Sequence, residues 1–415
     1  MFPLRAAPLG ALCVWLGVSA AAHAAGPPPG VQGAVRALWA SSPRIQAAQA
    51  SLRAAHERAS AATQPVYNPS LQIDGENADV DRRTAGASLT LDITGKRTAR
   101  LDESAAEVRV REAALALERR DVARDWLKAW AGIAAAREQT TLGRRRVDLM
   151  RRFDALAMQR LNVGDISSSE RDLAALALGE AQIQQGMLEA QEAEALAALA
   201  ALAGRDTVIP SPVAAELPPA AAVMPLPITE RAEAIQAQAE QDRADASVVV
   251  ADRNRRPDPT LSLTGGHVRS GPRTDRVIGV SVSLPIPVLN SGRFDVAAAR
   301  AEADAAFAQR ESTQRRMDAQ LRQAQATYAA LRTASASFRE GRAAAFDERA
   351  ALLDKLWQAG EISTSDYLMQ LKQSLDTALS GIALQSQAWQ AWIDYLAAAG
   401  RLTGWVDGTY KETSS

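Results

Sequence analysis

Residues 260–286 read TLSLTGGHVRSGPRTDRVIGVSVSLPI, and residues 70–94 read SLQIDGENADVDRRTAGASLTLDIT. Both stretches alternate apolar with polar. Leu261, Leu263 and Gly265 oppose Ser262 and Thr264, while Ile278, Val280, Val282, Leu284 and Ile286 oppose Gly279, Ser281 and Ser283. In the earlier stretch Leu71, Ile73 and Gly75 oppose Gln72, Asp74 and Glu76. There too, Ala87, Leu89, Leu91 and Ile93 oppose Ser88, Thr90, Asp92 and Thr94. A period of two marks β-strands, predicted over 70–77, 85–94, 260–267 and 277–286 with charged turns around Asp79–Arg83 and Arg269–Arg276. Strands of about 9–11 residues cross a bilayer at a tilt, and one apolar and one polar face suit a water-filled barrel. Four strands cannot close, because membrane barrels start at about eight, and open edges cannot face lipid. The chain must then oligomerise, and three copies supply about 12 strands. Two hairpins covering a soluble sheet would alternate in the same way. The aromatic girdle is nearly absent, Tyr67 being the one ring close to a strand.

Outward from the strands the chain is helical. No proline lies between Pro69 and Pro210 or after Pro287, so long uninterrupted helices fit both gaps. Helices are predicted over 31–62, 97–161, 167–203, 228–255, 294–359 and 363–401. Each long one is about 100 Å, and a short pair stacked end to end matches it. Val108, Leu115, Val122, Trp126, Ala129, Ile133, Ala136, Val147, Met150, Ala157 and Leu161 fall on a coiled-coil spacing. So do Met317, Leu321, Ala324, Tyr328, Leu331, Phe338, Ala345, Leu352 and Leu356, interrupted by Ser335, Arg342 and Arg349.

The pattern occurs twice. Asn68-Pro69-Ser70-Leu71 parallels Asp258-Pro259-Thr260-Leu261, and Gly95-Lys96 parallels Gly292-Arg293. Gly164-Asp165-Ile166-Ser167 parallels Gly360-Glu361-Ile362-Ser363, all in the same order at offsets of 190 to 197. Such a period fits a duplicated half. The predicted organisation is a signal peptide at 1–24, a first repeat at 25–209, a proline-rich linker at 210–227, a second repeat at 228–402 and a tail at 403–415. The signal rests on Arg5, the apolar run Leu9–Ala22 and the Ala22-His23-Ala24 cleavage pattern.

The 415 residues carry a formal net charge of −1, which advertises no nucleic-acid partner. Cys13, the single cysteine, lies inside the signal, so the exported chain is expected to carry no disulfide, thiolate site or lipid anchor. His56 and His267 are far apart, no phosphate-binding glycine loop ends in Gly-Lys-Ser/Thr, and no catalytic constellation emerges. The reading predicts no enzyme, no cofactor and no metal site.

With these residues in place, the sequence resembles the TolC family of outer-membrane efflux proteins over essentially the whole exported chain. The resemblance rests on the duplicated strand pairs, on Leu284-Pro285-Ile286 leading to Gly292-Arg293, and on the hairpin tips. The tips are Arg160-Leu161-x-x-Gly164-x-Ile166-Ser167 and Gly360-x-Ile362-Ser363. Length and the Arg256-Pro257-Asp258-Pro259 lead-in to the third strand look most like the cobalt-zinc-cadmium resistance subfamily. The resemblance implies a homotrimer with a 12-stranded barrel in outer-membrane lipid and a helical tunnel through the periplasm of a Gram-negative cell. It further implies a periplasmic adaptor docked at the tips, a resistance-nodulation-division pump in the inner membrane, and divalent heavy-metal cations as cargo. Drug efflux or type I protein secretion would use the same architecture, and an exported coiled-coil structural protein would share the pattern without a pore.

Gly164 and Gly360 let the chain reverse, and Ser167 and Ser363 can cap the helices that follow; capping alone also accounts for them. Asp366 resembles a family position that forms an acidic ring at the closed entrance, and Glu170 matches it in the first repeat, although a solvated helix carboxylate is the plainer reading of either. Leu173 and Met369 stand where the family often has a second acidic residue. Arg144, Arg145, Arg146, Arg151 and Arg152 form a basic stretch near the first tip, suited to an adaptor or simply to solvent.

Overall fold

The computed structural model describes residues 30–77, 80–204, 210, 217–220, 223–341 and 346–409. The predicted signal peptide and cleavage site, much of the linker and the end of the tail lie outside them. The chain is mainly helical, with one small sheet: α1 (Val31–Ser41), α2 (Pro43–Ala62), β1 (Ser70–Asn77), β2 (Val80–Thr90), α3 (Lys96–Asn162), α4 (Ser168–Ala203), α5 (Ala232–Asn254), β3 (Thr260–Ser270), β4 (Arg273–Ser283), α6 (Arg293–Glu340), α7 (Phe346–Gln358), α8 (Thr364–Ala398) and α9 (Leu402–Asp407).

The two predicted hairpins join into a single antiparallel sheet in the order β1-β2-β3-β4, which leaves the outer edges of β1 and β4 free in the protomer. Leu71 pairs with Ala87, Ala87 with Leu263 and Leu263 with Val280, so the apolar positions of all four strands share one face. Ile73, Ile278, Val280 and Val282 are each more than two-thirds exposed, against the habit of such side chains.

The strands are displaced from their predicted bounds. Asp81, Arg82 and Arg83 belong to β2, and the predicted turn at Arg269–Arg276 shrinks to Gly271 and Pro272, so the ladder continues through charged residues. At the other end Leu91–Thr94 and Leu284–Ile286 leave the sheet. Pro285 has no N–H to donate. The Asp92 carboxylate instead accepts from the backbone N–H of Gly95, Lys96 and Arg97 at 2.8–2.9 Å, which starts α3. At this junction Asp258 is buried and accepts from Lys96 Nζ at 3.0 Å, from the Tyr67 hydroxyl at 3.0 Å and from the Thr94 hydroxyl at 3.1 Å. One polar cluster therefore ties the lead-in to β3 to the start of α3 and the lead-in to β1.

The 67 residues of α3 run about 100 Å. Over its first half it meets α2 through Arg44 with Glu118 and Asp125, and α5 through Arg243 with Glu107. Over its second half it meets α4 through Arg144 with Glu189, and α8 through Gln139 with the Leu379 carbonyl. A long helix is thus flanked by shorter ones. The predicted first helix is broken at Ser42, ahead of Pro43 at the first turn of α2. The predicted second long helix is also broken: α6 ends at Glu340 and Gly341 is extended. Glycine loses most conformational freedom in a helix interior, so it is a weak point there. The buried seam beyond the break runs Phe346, Ala350, Leu353 and Trp357, one phase away from the predicted Leu352 and Leu356, and Leu352 is exposed; the predicted Arg342 and Ala345 lie outside the described residues. The α3 seam matches expectation better, with Leu115, Val122, Trp126, Ile133, Ala136, Val147, Met150 and Ala157 all buried.

Two cores result. One surrounds Trp126, Trp392 and Trp405 midway along the helices, and α9 docks into it through Leu402, Trp405 and Val406. The described parts of the proline-rich stretch lie against this core rather than hanging free. Tyr395 donates to the Val223 carbonyl and Arg332 to the Pro218 carbonyl, both at 3.2 Å. The second core surrounds Phe153, Trp357 and Tyr367 near the helix tips.

Candidate functional site

Two regions carry the predicted chemistry: the helix tips and the sheet. At the first tip Gly164 has φ +78° and at the second Gly360 has φ +74°, the left-handed region that a side chain disfavours. The Gly164 N–H donates to the Leu161 carbonyl at 3.0 Å and the Asp165 N–H to the Arg160 carbonyl at 2.9 Å. Gly360 to Trp357 at 3.0 Å and Glu361 to Leu356 at 2.9 Å repeat both bonds. This pair of bonds is the Schellman ending of a helix. The Ser167 hydroxyl then accepts from the Glu170 N–H at 3.3 Å, and the Glu170 carboxylate accepts from the Ser167 N–H at 2.9 Å, a complete capping box. The Ser363 hydroxyl accepts from the Asp366 N–H at 3.1 Å and donates to the Asp366 carboxylate at 2.7 Å. Hydrogen bonds from the Ser167 backbone and hydroxyl hold the Glu170 carboxyl below its usual range.

Ile166 and Ile362 turn inward against the second core, whereas Gly164, Ser167, Gly360, Ser363 and Asp366 are exposed. Leu161 is half-buried. Arg160 joins the two tips. Its guanidinium lies 4.7 Å from the centroid of the Trp357 ring, donates to the Gln358 carbonyl at 3.1 Å and pairs with Asp165 at 3.3 Å. Beneath it Phe153 stacks on Tyr367 at 4.8 Å and meets Trp357 at 4.5 Å. Trp357 Nε1 donates to the Thr364 hydroxyl at 3.2 Å. The Tyr367 hydroxyl is buried with no hydrogen-bond partner among the described residues, and burial with Asp354 nearby pushes its pKa up. Trp357, Thr364, Phe153 and Tyr367 were not singled out in sequence; the aromatic one turn before Gly360 is the signal that could have found the first.

The basic stretch is largely paired within the chain. Arg145 meets Asp347 at 3.0 Å, Arg151 meets Asp148 at 3.0 Å, and buried Arg146 reaches Gln184. Nearby Lys372 of α8 meets Glu180 of α4 at 2.5 Å, tying the two repeats together. Among the described residues no three His, Cys, Asp or Glu side chains converge on a possible metal position, and no helix is long and apolar enough to cross a membrane.

Comparison with known proteins adds to this geometry. The family profile described as outer membrane efflux protein matches residues 34–205. The cobalt-zinc-cadmium resistance protein CzcC of Cupriavidus metallidurans is 26% identical over 339 residues, 79% of each chain. The CmeC outer membrane channel of Campylobacter jejuni superposes with a TM-score of 0.76 at 14% identity, covering 90% of this chain and 86% of that one. A membrane protein of Pseudomonas aeruginosa superposes at 0.75 with 18% identity, covering 89% and 93%. Residues 34–205 thus resemble the outer membrane efflux protein family, the chain shares the fold of these solved membrane proteins, and over most of its length it is similar in sequence to a cobalt-zinc-cadmium resistance protein.

Proposed function

We propose that this channel protein works as a homotrimer, the outermost part of a three-component efflux machine that passes divalent heavy-metal cations passively from the periplasm to the exterior. The observation that carries the reading is the sheet with two free edges and one exposed apolar face. Pairing β4 of one copy with β1 of the next would satisfy both edges and close about 12 strands. The apolar face then meets lipid, and Gln72, Asp74, Thr84, Ser88, Ser262 and Ser281 line water. The helices extend from the opposite end of the strands to the hairpin tips, and so reach into the periplasm. There the two tips present matched, rigid turns, the surface at which a periplasmic adaptor would dock, and the adaptor would couple the channel to a resistance-nodulation-division pump. Asp366 and Glu170 stand at the first turn of the helices that leave those turns; three copies of each near one axis would draw cations towards the entrance.

Metal cations are favoured over drugs or polypeptides as cargo by the likeness to a cobalt-zinc-cadmium resistance protein over most of both chains. The test is growth of a deletion strain on cobalt, zinc and cadmium and on a panel of organic drugs. Sensitivity confined to the metals, restored by the gene, is the expected result; sensitivity confined to drugs contradicts the metal assignment and leaves the channel standing.

A further inference from the structure

The strand register sorts the apolar face of the sheet into rows. Leu71, Ala87, Leu263 and Val280 form one; Ile73, Ala85, Gly265 and Ile278 form the next, nearer the hairpin ends. The row after that is Gly75, Arg83, His267 and Arg276. The face turns from apolar to basic in one step. Adjacent strands stand about 4.8 Å apart, so three basic side chains project abreast from three neighbouring strands. Arg83 and Arg276 flank His267 on the same face, one strand to either side, and like charges gathered on one face of a sheet favour a group that supplies the opposite sign. Within the chain Asp81 offsets part of this, with Oδ1 3.3 Å from Arg83 Nε. Asp275 is held by Arg273 at 3.3 Å and belongs to the other face. His267 and Arg276 form no ion pair with the described residues.

Gly75 and Gly265 add no side chains to this face, and a depression of about 660 Å³ opens beside the basic row, lined by Ile73, Ala85 and Ile278 on one side and by Arg83, His267 and Arg276 on the other. Its height on the sheet is also informative. The exposed apolar series Ile278, Val280, Val282, Leu284 and Ile286 starts two residues after Arg276. From Arg276 to Ser283, the last residue of β4, the chain spans about 23 Å at strand rise, and a tilt of about 40° reduces that to about 18 Å; exposed Leu284 and Ile286 continue the apolar series beyond the sheet, towards the roughly 25 Å of a barrel's apolar band. The helices leave from the opposite end. The basic row therefore stands where the hydrocarbon of the outer leaflet gives way to its headgroups.

We propose that Arg83, His267 and Arg276 bind the phosphates of a phosphorylated outer-leaflet glycolipid of the lipopolysaccharide type, while an acyl chain occupies the depression against Ile73 and Ile278. Guanidinium groups suit phosphate oxygens through paired, charge-assisted hydrogen bonds. The glycine floor lets the chain lie close to the backbone. The site rests on the reading of the strands as a membrane barrel.

The test uses the full-length protein purified from outer membranes, with bisphosphorylated lipid A and its dephosphorylated form as probes, bound lipid counted by native mass spectrometry and pore formation followed in planar bilayers. Wild type should retain the phosphorylated lipid at least about tenfold more tightly than the triple variant Arg83→Gln, His267→Gln, Arg276→Gln, and the dephosphorylated lipid should bind both alike and weakly. Arg83→Lys with Arg276→Lys keeps the charge and should keep most of the preference, which separates lost binding from lost folding. A protein that conducts but shows no preference for the phosphorylated lipid, or a triple variant that conducts and binds it as wild type does, overturns the glycolipid site alone. A protein that forms no pore overturns the site and the barrel together.

Discussion

Gly164 and Gly360 hold the tips in a conformation that costs any other residue about 1–2 kcal/mol. An added Cβ would meet nothing within 4 Å at either position, so the penalty of substitution is one of backbone shape, not crowding. Gly164→Leu or Gly360→Leu should abolish resistance in a growth assay while leaving the amount of protein in the outer membrane unchanged; loss of membrane insertion would mean that the turns serve folding rather than docking. Asp366→Asn is a clean charge test, because asparagine still accepts from the Ser363 hydroxyl. It should alter cation conductance or blockade, and unchanged behaviour would remove Asp366 from the entrance. Glu170 titrates in a predictable direction. Its carboxyl is held below the usual range by Ser167, so its contribution to the start of α4 is present above the unfolded pKa and is lost as pH falls through the lowered one. Amide protection factors at the start of α4, corrected for the intrinsic pH dependence of exchange, should fall on acidification in wild type and much less in Glu170→Gln.

Between the helices and the sheet, stability concentrates in a few contacts. Lys96 and Asp258 have side chains 10% and 1% exposed, and removing one partner of a buried pair strands the other at a cost of about 3–5 kcal/mol. Lys96→Met should lower the thermal midpoint of the assembled protein far more than Tyr67→Phe, which removes one hydrogen bond worth about 1 kcal/mol; equal effects would show that the pair is not what joins the two parts. This cluster was not legible in the sequence, since Lys96 and Asp258 are 162 residues apart and neither sits in a local pattern that names its partner. What was legible is what local periodicity fixes: the four strands, the α3 seam and the matched tips. The α7 seam was misread because the frame was carried unbroken across Gly341, where the helix ends and the phase changes. The partner of Arg160 was not legible either, because the Trp357 ring it covers comes from the other repeat.

For the molecule as a whole, the duplicated halves build one sheet and one set of flanked helices, and the sheet is left with edges and an apolar face that the protomer cannot cover. The apolar rows of one face and the polar rows of the other were readable from alternation alone. The single merged sheet was not, because nothing in either hairpin says that β2 and β3 pair. The barrel claim is tested most directly by purifying the protein from the outer membrane, measuring its mass and recording its conductance in a planar bilayer. Three protomers per particle and discrete single-channel steps are the predicted result. A monomer recovered from the periplasm, silent in the bilayer, would contradict it.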